Sequence, residues 1–228
     1  MNDTAEIESL LSGLGAHFVV SIEELRLRLE NIEAFVFDWD GVFNRGEKGE
    51  GSASTFSEPD SMGTNLLRYA FWRARGKLPV CAVVSGADNP TARSFARREH
   101  FNAVYSGFAD KTAAFENLEA THSLNRNSIA YVFDDANDLS AANDCALRFM
   151  IRRDASPLLR EYAVTGGLVD YVTAARAGEY PVREIAEMLV GVLGSYSQVF
   201  ASRQQFDADY QQYFSARQEC HTEVVNAG

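Results

Sequence analysis

The chain has 228 residues and a formal net charge of −11, and 46% of its residues are apolar. This length and composition suit one α/β domain, or one domain with a short appendage. The acidic balance disfavours a nucleic-acid-binding protein, which would usually carry a basic face. No apolar run reaches the ~18 residues of a membrane span, and the N-terminus lacks the pattern of a signal peptide. We therefore expect a cytoplasmic protein that binds neither nucleic acid nor membrane.

The cysteines and histidines give no sign of a metal or disulfide site. The three cysteines are odd in number and widely spaced: Cys81, Cys145 and Cys220. They are predicted to be small buried hydrophobes rather than disulfide or zinc residues. The histidines fall outside every motif and are interpreted as surface or packing residues: His17, His100, His122 and His221.

The first part of the chain is predicted to be helical. Residues 5–30 carry helical periodicity, and Ser21 with Glu24 forms a capping-box pattern before the apolar face. Further helices are predicted at 61–76, 90–100 and 110–119. Another is predicted within 137–151, before the fifth strand, and a last one begins at Pro181.

Apolar segments of strand length alternate with these helices. Six strands are predicted, within 33–43, 79–86, 102–107, 128–135, 137–151 and 168–172. Because the runs are almost continuously apolar, they indicate a parallel sheet covered by helices on both faces. The predicted fold is therefore a three-layer, Rossmann-like α/β domain.

Two segments depart from this alternation. Residues 44–58 are polar and rich in Gly and Ser, which predicts a loop or a small flap hairpin. The tail is rich in Gln, Tyr, Phe and Ser and could extend the preceding helix, with an apolar stripe of Val199, Phe206, Tyr210 and Phe214. We expect a helical segment at 1–30, a catalytic domain at 31–195 and a helical tail at 196–228.

Polar side chains collect at the carboxyl ends of the predicted strands, where open parallel sheets bind ligands. They are Asp38, Asp40, Ser85, Asp134, Asp135 and Asp138. Five carboxylates in one crevice would repel each other at neutral pH and need a cation. Oxygen ligands of this kind suit Mg²⁺. Taken singly, each residue has an ordinary alternative role as a turn residue, a helix cap or a solvated charge.

Four segments in chain order resemble the motifs of the haloacid dehalogenase (HAD) superfamily. FDWDGVF resembles the first motif, VVSG at 83–86 the second, Lys111 the third, and FDDANDLS at 133–140 the fourth. The resemblance implies a HAD-like fold and a Mg²⁺-dependent phosphatase. The spacing between motifs leaves no room for a cap domain.

The resemblance also implies a role for each residue. Asp38 would be the nucleophile, and Asp40 the general acid and base. Mg²⁺ would be held by Asp38, Asp134 and the backbone carbonyl of Asp40. The transferred phosphoryl group would be bound by Ser85, Gly86 and Lys111. Asp135 and Asp138 would lie just outside the metal ligands.

Within the superfamily, residues 31–192 resemble the 3-deoxy-D-manno-octulosonate 8-phosphate (KDO 8-phosphate) phosphatases. The similarity is carried by FSEPDSMGTNLLR, DASPLL at 154–159 and DYVTAARAGEYPVREIAEMLV at 170–190. It implies a phosphorylated sugar or sugar acid as substrate, and a homo-oligomer in which a tetramer is favoured over a dimer.

This chain departs from the pattern of that family on the substrate side. Ala87 stands where the family usually has Arg, the turn at 177–181 is bulkier, and Phe133 replaces Gly. A different sugar acid or sugar phosphate is therefore expected. The alternatives are a capless HAD phosphatase acting on a macromolecule, and a catalytically silent HAD-fold binding module.

Overall fold

The computed structural model describes residues 4–48 and 54–227. The helices are α1 (Thr4–Leu14), α2 (Ile22–Leu29), α3 (Glu58–Arg75), α4 (Pro90–Arg98), α5 (Lys111–His122), α6 (Leu139–Ala142), α7 (Pro157–Thr165), α8 (Pro181–Val192), α9 (Tyr196–Gln205) and α10 (Ala208–Gln218). The strands are β1 (His17–Phe18), β2 (Ala34–Asp38), β3 (Val80–Ser85), β4 (Ala103–Ser106), β5 (Ile129–Phe133), β6 (Leu147–Arg152), β7 (Tyr171–Arg176) and β8 (Glu223–Asn226).

The strands form one sheet in the order β1-β7-β6-β5-β2-β3-β4-β8. All neighbouring strands in this order pair in parallel except β1, which pairs antiparallel with β7. The prediction of a parallel α/β sheet with helices on both faces is thus confirmed, with one antiparallel strand added at the edge.

Both faces of the sheet are buried, because side chains alternate along each strand. On β2, Phe35 and Phe37 enter the core beneath α2, α3, α4 and α8, while Ala34 and Val36 enter the core beneath α5, α6 and α7. This double burial explains why the central strands have nearly continuous apolar sequences.

The predicted N-terminal helix is interrupted. Gly15 takes a positive φ of 102°, and the chain then forms β1 before α2 begins. Ser21 caps α2 by accepting a hydrogen bond from the Glu24 N–H at 3.2 Å, as the sequence predicted. The helical periodicity of residues 5–30 therefore belongs to two helices separated by an edge strand.

The tail does not extend α8. Gly194 adopts a left-handed φ of 70°, and α9 starts as a separate helix. Tyr210 and Tyr213 of α10 pack with Tyr69 of α3 in a third buried cluster. Of the predicted apolar stripe, Val199 and Tyr210 are buried, whereas Phe206 is 44% exposed. The chain then ends in β8, a strand that the sequence did not predict.

Two further expectations need adjustment. The sixth predicted strand begins at Tyr171, since Asp170 precedes it and accepts hydrogen bonds from Arg148.

The tip of the predicted flap hairpin, residues 49–53, lies outside the described residues. Its described limbs, 44–48 and 54–57, are irregular.

The connections that would carry a cap domain are short in the described residues. Between Asp40 and Ser85 they comprise the loop, α3 and β3, and between Ser85 and Lys111 they comprise α4 and β4. No described helix is long and apolar enough to cross a membrane.

Candidate active site

The three central strands bring the predicted residues to one edge of the sheet. Asp38 ends β2, Ser85 ends β3, and Asp134 directly follows β5. The register pairs Asp38 of β2 with Val84 of β3, and Phe37 of β2 with Val132 of β5. Val132 lies one residue before the end of β5. Parallel neighbours lie about 4.8 Å apart, so the three strand ends converge on one crevice.

Three carboxyl groups form the centre of this crevice. Asp38, Asp134 and Asp138 are buried, and each offers an oxygen atom within 4.8 Å of the others. Asp138 lies in a short 3₁₀ turn that follows β5, and it accepts hydrogen bonds from the Tyr131 hydroxyl at 2.6 Å and the Asp135 N–H at 3.3 Å. These bonds fix the third carboxylate from below the crevice.

Lys111 supplies a buried positive charge to the cluster. It is the first residue of α5, which packs on the sheet through Ala114, Phe115 and Leu118 and so begins at the same edge as the strand ends. Its Nζ donates to Asp38 Oδ1 at 2.5 Å and to Asp138 Oδ1. The lysine is therefore a fixed part of the site rather than a solvated helix charge.

One lysine does not balance three carboxylates. Burial raises the pKa of Asp38 well above its usual range, with Asp138 and Asp134 adding to the shift and Lys111 opposing it. Burial likewise raises the pKa of Asp134 to about 6, against the attraction of Arg153. Although burial lowers the pKa of Lys111, Asp38 and Asp138 outweigh it and raise the value overall. When all three carboxyl groups are ionised, Lys111 and Arg153 leave an excess of negative charge that a further cation would offset.

The donor set fits a hard divalent cation. Carboxylate oxygens are the ligands that Mg²⁺ prefers, and this cluster presents them at short mutual distances. Asp134 Oδ2 is buried and lacks an aligned hydrogen bond. A buried carboxylate oxygen in that state is costly unless a cation satisfies it. The residues therefore suit the Mg²⁺ ion that the sequence predicts.

Arg153 is the one charged group at this oxygen that the sequence analysis missed. It lies between β6 and α7, and its Nη2 forms an ion pair with Asp134 Oδ2. Gly41, with a φ of 89°, makes room for it, because a Cβ there would collide with the Arg153 guanidinium and the Asp134 carboxylate. The available signal was its position just after a strand, at the ligand-binding edge of the sheet.

The remaining predicted residues lie around this centre without joining it. Asp40 has an 18% exposed side chain and pairs with Lys48 at 3.3 Å. Ser85 is buried, and its Oγ accepts the Ala87 N–H at 3.3 Å, while Gly86 follows in the same exposed turn. Asp135 is exposed and caps the 3₁₀ turn.

A pocket of about 230 Å³ is lined by the loop that follows Asp40 and by both described limbs of the flap region. Its lining residues are Phe43, Asn44, Arg45, Glu47, Ser54, Thr55, Phe56, Ser57, Asp60, Gly178 and Tyr180. Both described limbs of the flap region are tied to the site loop, through the Lys48 pair with Asp40 and through a 2.9 Å hydrogen bond from Trp39 Nε1 to Ser54 Oγ. The pocket is mixed in polarity and large enough for a small polar molecule.

Comparisons with known proteins place these features in a family context. No family model matches the chain. The 3-deoxy-D-manno-octulosonate 8-phosphate phosphatase of Haemophilus influenzae is 29% identical over 187 residues, covering 80% of this chain and 95% of that protein. The enzyme of the same name from Yersinia pestis is 24% identical over 190 residues, covering 83% and 92% of the two chains.

Solved structures agree with this similarity. The cobalt-bound Haemophilus influenzae phosphatase superposes with a TM-score of 0.62 at 26% identity, covering 78% of this chain and 98% of that chain. The Moraxella catarrhalis enzyme, in complex with magnesium, phosphate and KDO, gives a TM-score of 0.65 at 20% identity, covering 80% and 99%. The sequence similarity and the carboxylate cluster together support a HAD phosphatase that resembles the KDO 8-phosphate phosphatases.

Proposed function

We propose that the protein is a Mg²⁺-dependent phosphomonoesterase that works through an aspartyl-phosphate and acts on a small phosphorylated sugar or sugar acid. The observation that carries the proposal is the buried cluster of Asp38, Asp134 and Asp138, closed by Lys111 at the carboxyl edge of the sheet. Each of these residues also occupies its place in a HAD motif of the sequence.

In the first step, an Asp38 carboxylate oxygen attacks phosphorus as the phosphorus–oxygen bond of the ester breaks. Asp40 gives its proton to the departing alcohol oxygen. In the second step, Asp40 takes a proton from water as that water attacks the phosphorus. The bond to Asp38 breaks, and inorganic phosphate and the free carboxylate result. Asp40 suits this exchange because its side chain is partly exposed at the rim of the crevice.

The other residues position charge. The carboxylates of Asp38 and Asp134 and the carbonyl of Asp40 would hold Mg²⁺, which screens the repulsion between the attacking carboxylate and the phosphoryl oxygens. Lys111 contributes a fixed positive charge to the phosphoryl oxygens, with Asp138 holding its Nζ in place.

The hydroxyl of Ser85 and the backbone of Gly86 would complete phosphate binding at the end of β3. The Ser85 Oγ accepts a hydrogen bond from its own turn, which leaves the hydroxyl proton free to donate to a phosphoryl oxygen. Asp135, exposed at the rim, is assigned the outer role of fixing the turn that carries Asp138.

A sugar phosphate is favoured by the relatives, which are named for KDO 8-phosphate, and by a pocket of about 230 Å³ that is lined by the loop following Asp40. Ala87 removes one positive contact for the carboxylate of an acidic sugar. A charge-assisted hydrogen bond of this kind contributes about 1.5–3 kcal/mol. We therefore expect a phosphorylated sugar other than KDO 8-phosphate to be the better substrate.

A panel of sugar phosphates, assayed for phosphate release with Mg²⁺, tests the substrate class. We expect several sugar phosphates to be hydrolysed, with KDO 8-phosphate below the best of them. Ala87→Arg should raise kcat/KM for KDO 8-phosphate by about 10-fold or more. Ala87→Gln, which adds length without charge, is the matched control. Hydrolysis of none of the sugar phosphates would refute this substrate class.

We extend the proposal to location and assembly. The free cysteines, two of them buried, suit a reducing cytoplasm. The crevice has no cap domain over it in the described residues, so a neighbouring subunit would complete it, with a tetramer favoured and a dimer as the fallback. Leu158 and Tyr162 on α7, which are 84% and 63% exposed, offer apolar contact surface. Light scattering of the purified protein measures the assembly.

We also retain the three segments 1–30, 31–195 and 196–228 as a proposal for how the chain is organised. The first and last contribute β1 and β8 to the two edges of the central sheet. They therefore complete the catalytic domain at its edges.

A further inference from the structure

Arg153 differs from the other arginines near it in how its charge is satisfied. Its neighbour Arg152 donates from Nε to Asp154 at 2.8 Å, and Arg148 donates to both carboxylate oxygens of Asp170. Arg153 lies close to Asp134 Oδ2, yet no aligned hydrogen bond satisfies that oxygen, and the buried Arg153 Nε has no partner among the described residues. The pair thus has charge attraction without the hydrogen-bond geometry of a structural ion pair.

The backbone around Arg153 is shaped to admit its guanidinium. Gly41 leaves no Cβ in the volume that the guanidinium and the Asp134 carboxylate occupy. Gly46 approaches the same group, since a Cβ there would lie 3.2 Å from Arg153 Nη2. The arginine side chain is 30% exposed, so the guanidinium also has a route to solvent.

The oxygen that Arg153 contacts is one that a divalent cation would need. Asp134 belongs to the cluster of three carboxylates that fits Mg²⁺, and its Oδ2 has no competing hydrogen bond. Two positive charges at contact distance from one oxygen repel each other strongly in a buried site. The guanidinium and a divalent cation therefore compete for Asp134 Oδ2.

We propose that Arg153 is an internal competitor for the divalent cation: it neutralises Asp134 in the metal-free protein and leaves Asp134 Oδ2 when the cation binds. This inference rests on the proposed Mg²⁺ site and adds a residue that sets its affinity. By occupying the ligand oxygen, Arg153 stabilises the metal-free cluster and raises the cation concentration at which the site fills. Its exposed side gives the displaced guanidinium room to move.

Calorimetric titration of the purified protein with Mg²⁺ alone, without substrate, tests this inference. Arg153→Gln should lower the Kd for Mg²⁺ about five-fold or more, the lower end of typical coupling free energies in proteins. Arg153→Lys keeps the positive charge but loses the planar guanidinium, so a smaller decrease in the Kd for Mg²⁺ is expected. Arg152→Gln, at the adjacent position, should leave the Kd unchanged.

Thermal unfolding gives a second readout that a purely structural role would not reproduce. In EDTA, Arg153→Gln should lower the Tm, because Asp134 loses its counter-charge. Mg²⁺ should then raise the Tm of this variant by more than it raises that of the wild type. A structural role would lower the Tm equally with and without Mg²⁺.

A Kd for Mg²⁺ equal to or larger than the wild-type value in Arg153→Gln overturns the inference. If that variant does not fold, the same result in Arg153→Lys overturns it. Phosphate release separates this outcome from failure of the proposed function. Unchanged Mg²⁺ affinity in an active phosphatase rejects the competitor alone, whereas tighter Mg²⁺ binding in a protein that hydrolyses no phosphate ester rejects the phosphatase alone.

Discussion

Asp60 is a buried carboxyl group outside the carboxylate cluster, in the first turn of α3. Burial raises its pKa to about 6, although hydrogen bonds from the Ser57 hydroxyl at 2.7 Å and the Arg183 N–H at 3.0 Å oppose the shift. The folded protein therefore binds this proton more tightly than the unfolded chain does. The stability that follows is fully present below the unfolded pKa and is lost as the pH rises through the folded pKa.

Asp60→Asn removes this titration. Between about pH 4 and about pH 7, the free energy of unfolding of the wild type should fall relative to the variant by up to about 3 kcal/mol. Denaturant unfolding of both proteins in EDTA across this range measures the difference. A difference that does not vary with pH would show that folding does not raise the pKa of Asp60.

The sequence predicted the carboxylates and the lysine of the site because each stands at an element end that the hydrophobic pattern defines. Arg153 could not be found in the same way. Its guanidinium reaches Asp134 across a long, flexible side chain, and the volume that it enters exists because Gly41 takes a left-handed conformation. Which side chain fills such a space depends on tertiary contacts that no local pattern records.

At the level of elements, the central strands were predictable and the edge strands were not. Strands β2, β3 and β5 are buried on both faces, so their sequences are continuously apolar. By contrast, β1 has two residues, and β8 is only half buried. Short edge strands carry little hydrophobic signal, and their pairing depends on an existing sheet.

Strand β8 should contribute measurably to stability. Val224 and Val225 pack against opposite faces of the sheet and pair with β4. Ending the chain after Cys220 removes these contacts, and we expect the free energy of unfolding to fall by about 2–4 kcal/mol. Denaturant unfolding measures this loss.

The same truncation exposes the edge of β4, so the shortened protein should also aggregate more readily. Light scattering during refolding detects this. Glu223→Ala, an exposed change within β8 that keeps the strand, is the matched control. Unchanged stability and solubility after truncation would mean that β8 adds nothing to the sheet.

For the whole molecule, the strand order explains why the site forms where it does. The strands that carry Asp38, Asp134 and Ser85 are consecutive in the middle of the sheet, with helices packed on both faces. The crevice is therefore held by buried central strands, whereas the pocket is lined mainly by loop residues. This division suits a constant phosphoryl-transfer centre with a separate substrate region.

The central claim is that Asp38 is the nucleophile of a Mg²⁺-dependent phosphatase, and phosphate release by Asp38→Asn with the best sugar phosphate tests it most directly. The variant keeps the shape of the side chain but lacks the anionic oxygen. We predict a loss of more than about 10³-fold in kcat with Mg²⁺ present, and a comparable, reversible loss in the wild type with EDTA. Asp144→Asn, an exposed change, should retain activity. Turnover near the wild-type rate in folded Asp38→Asn would contradict the account.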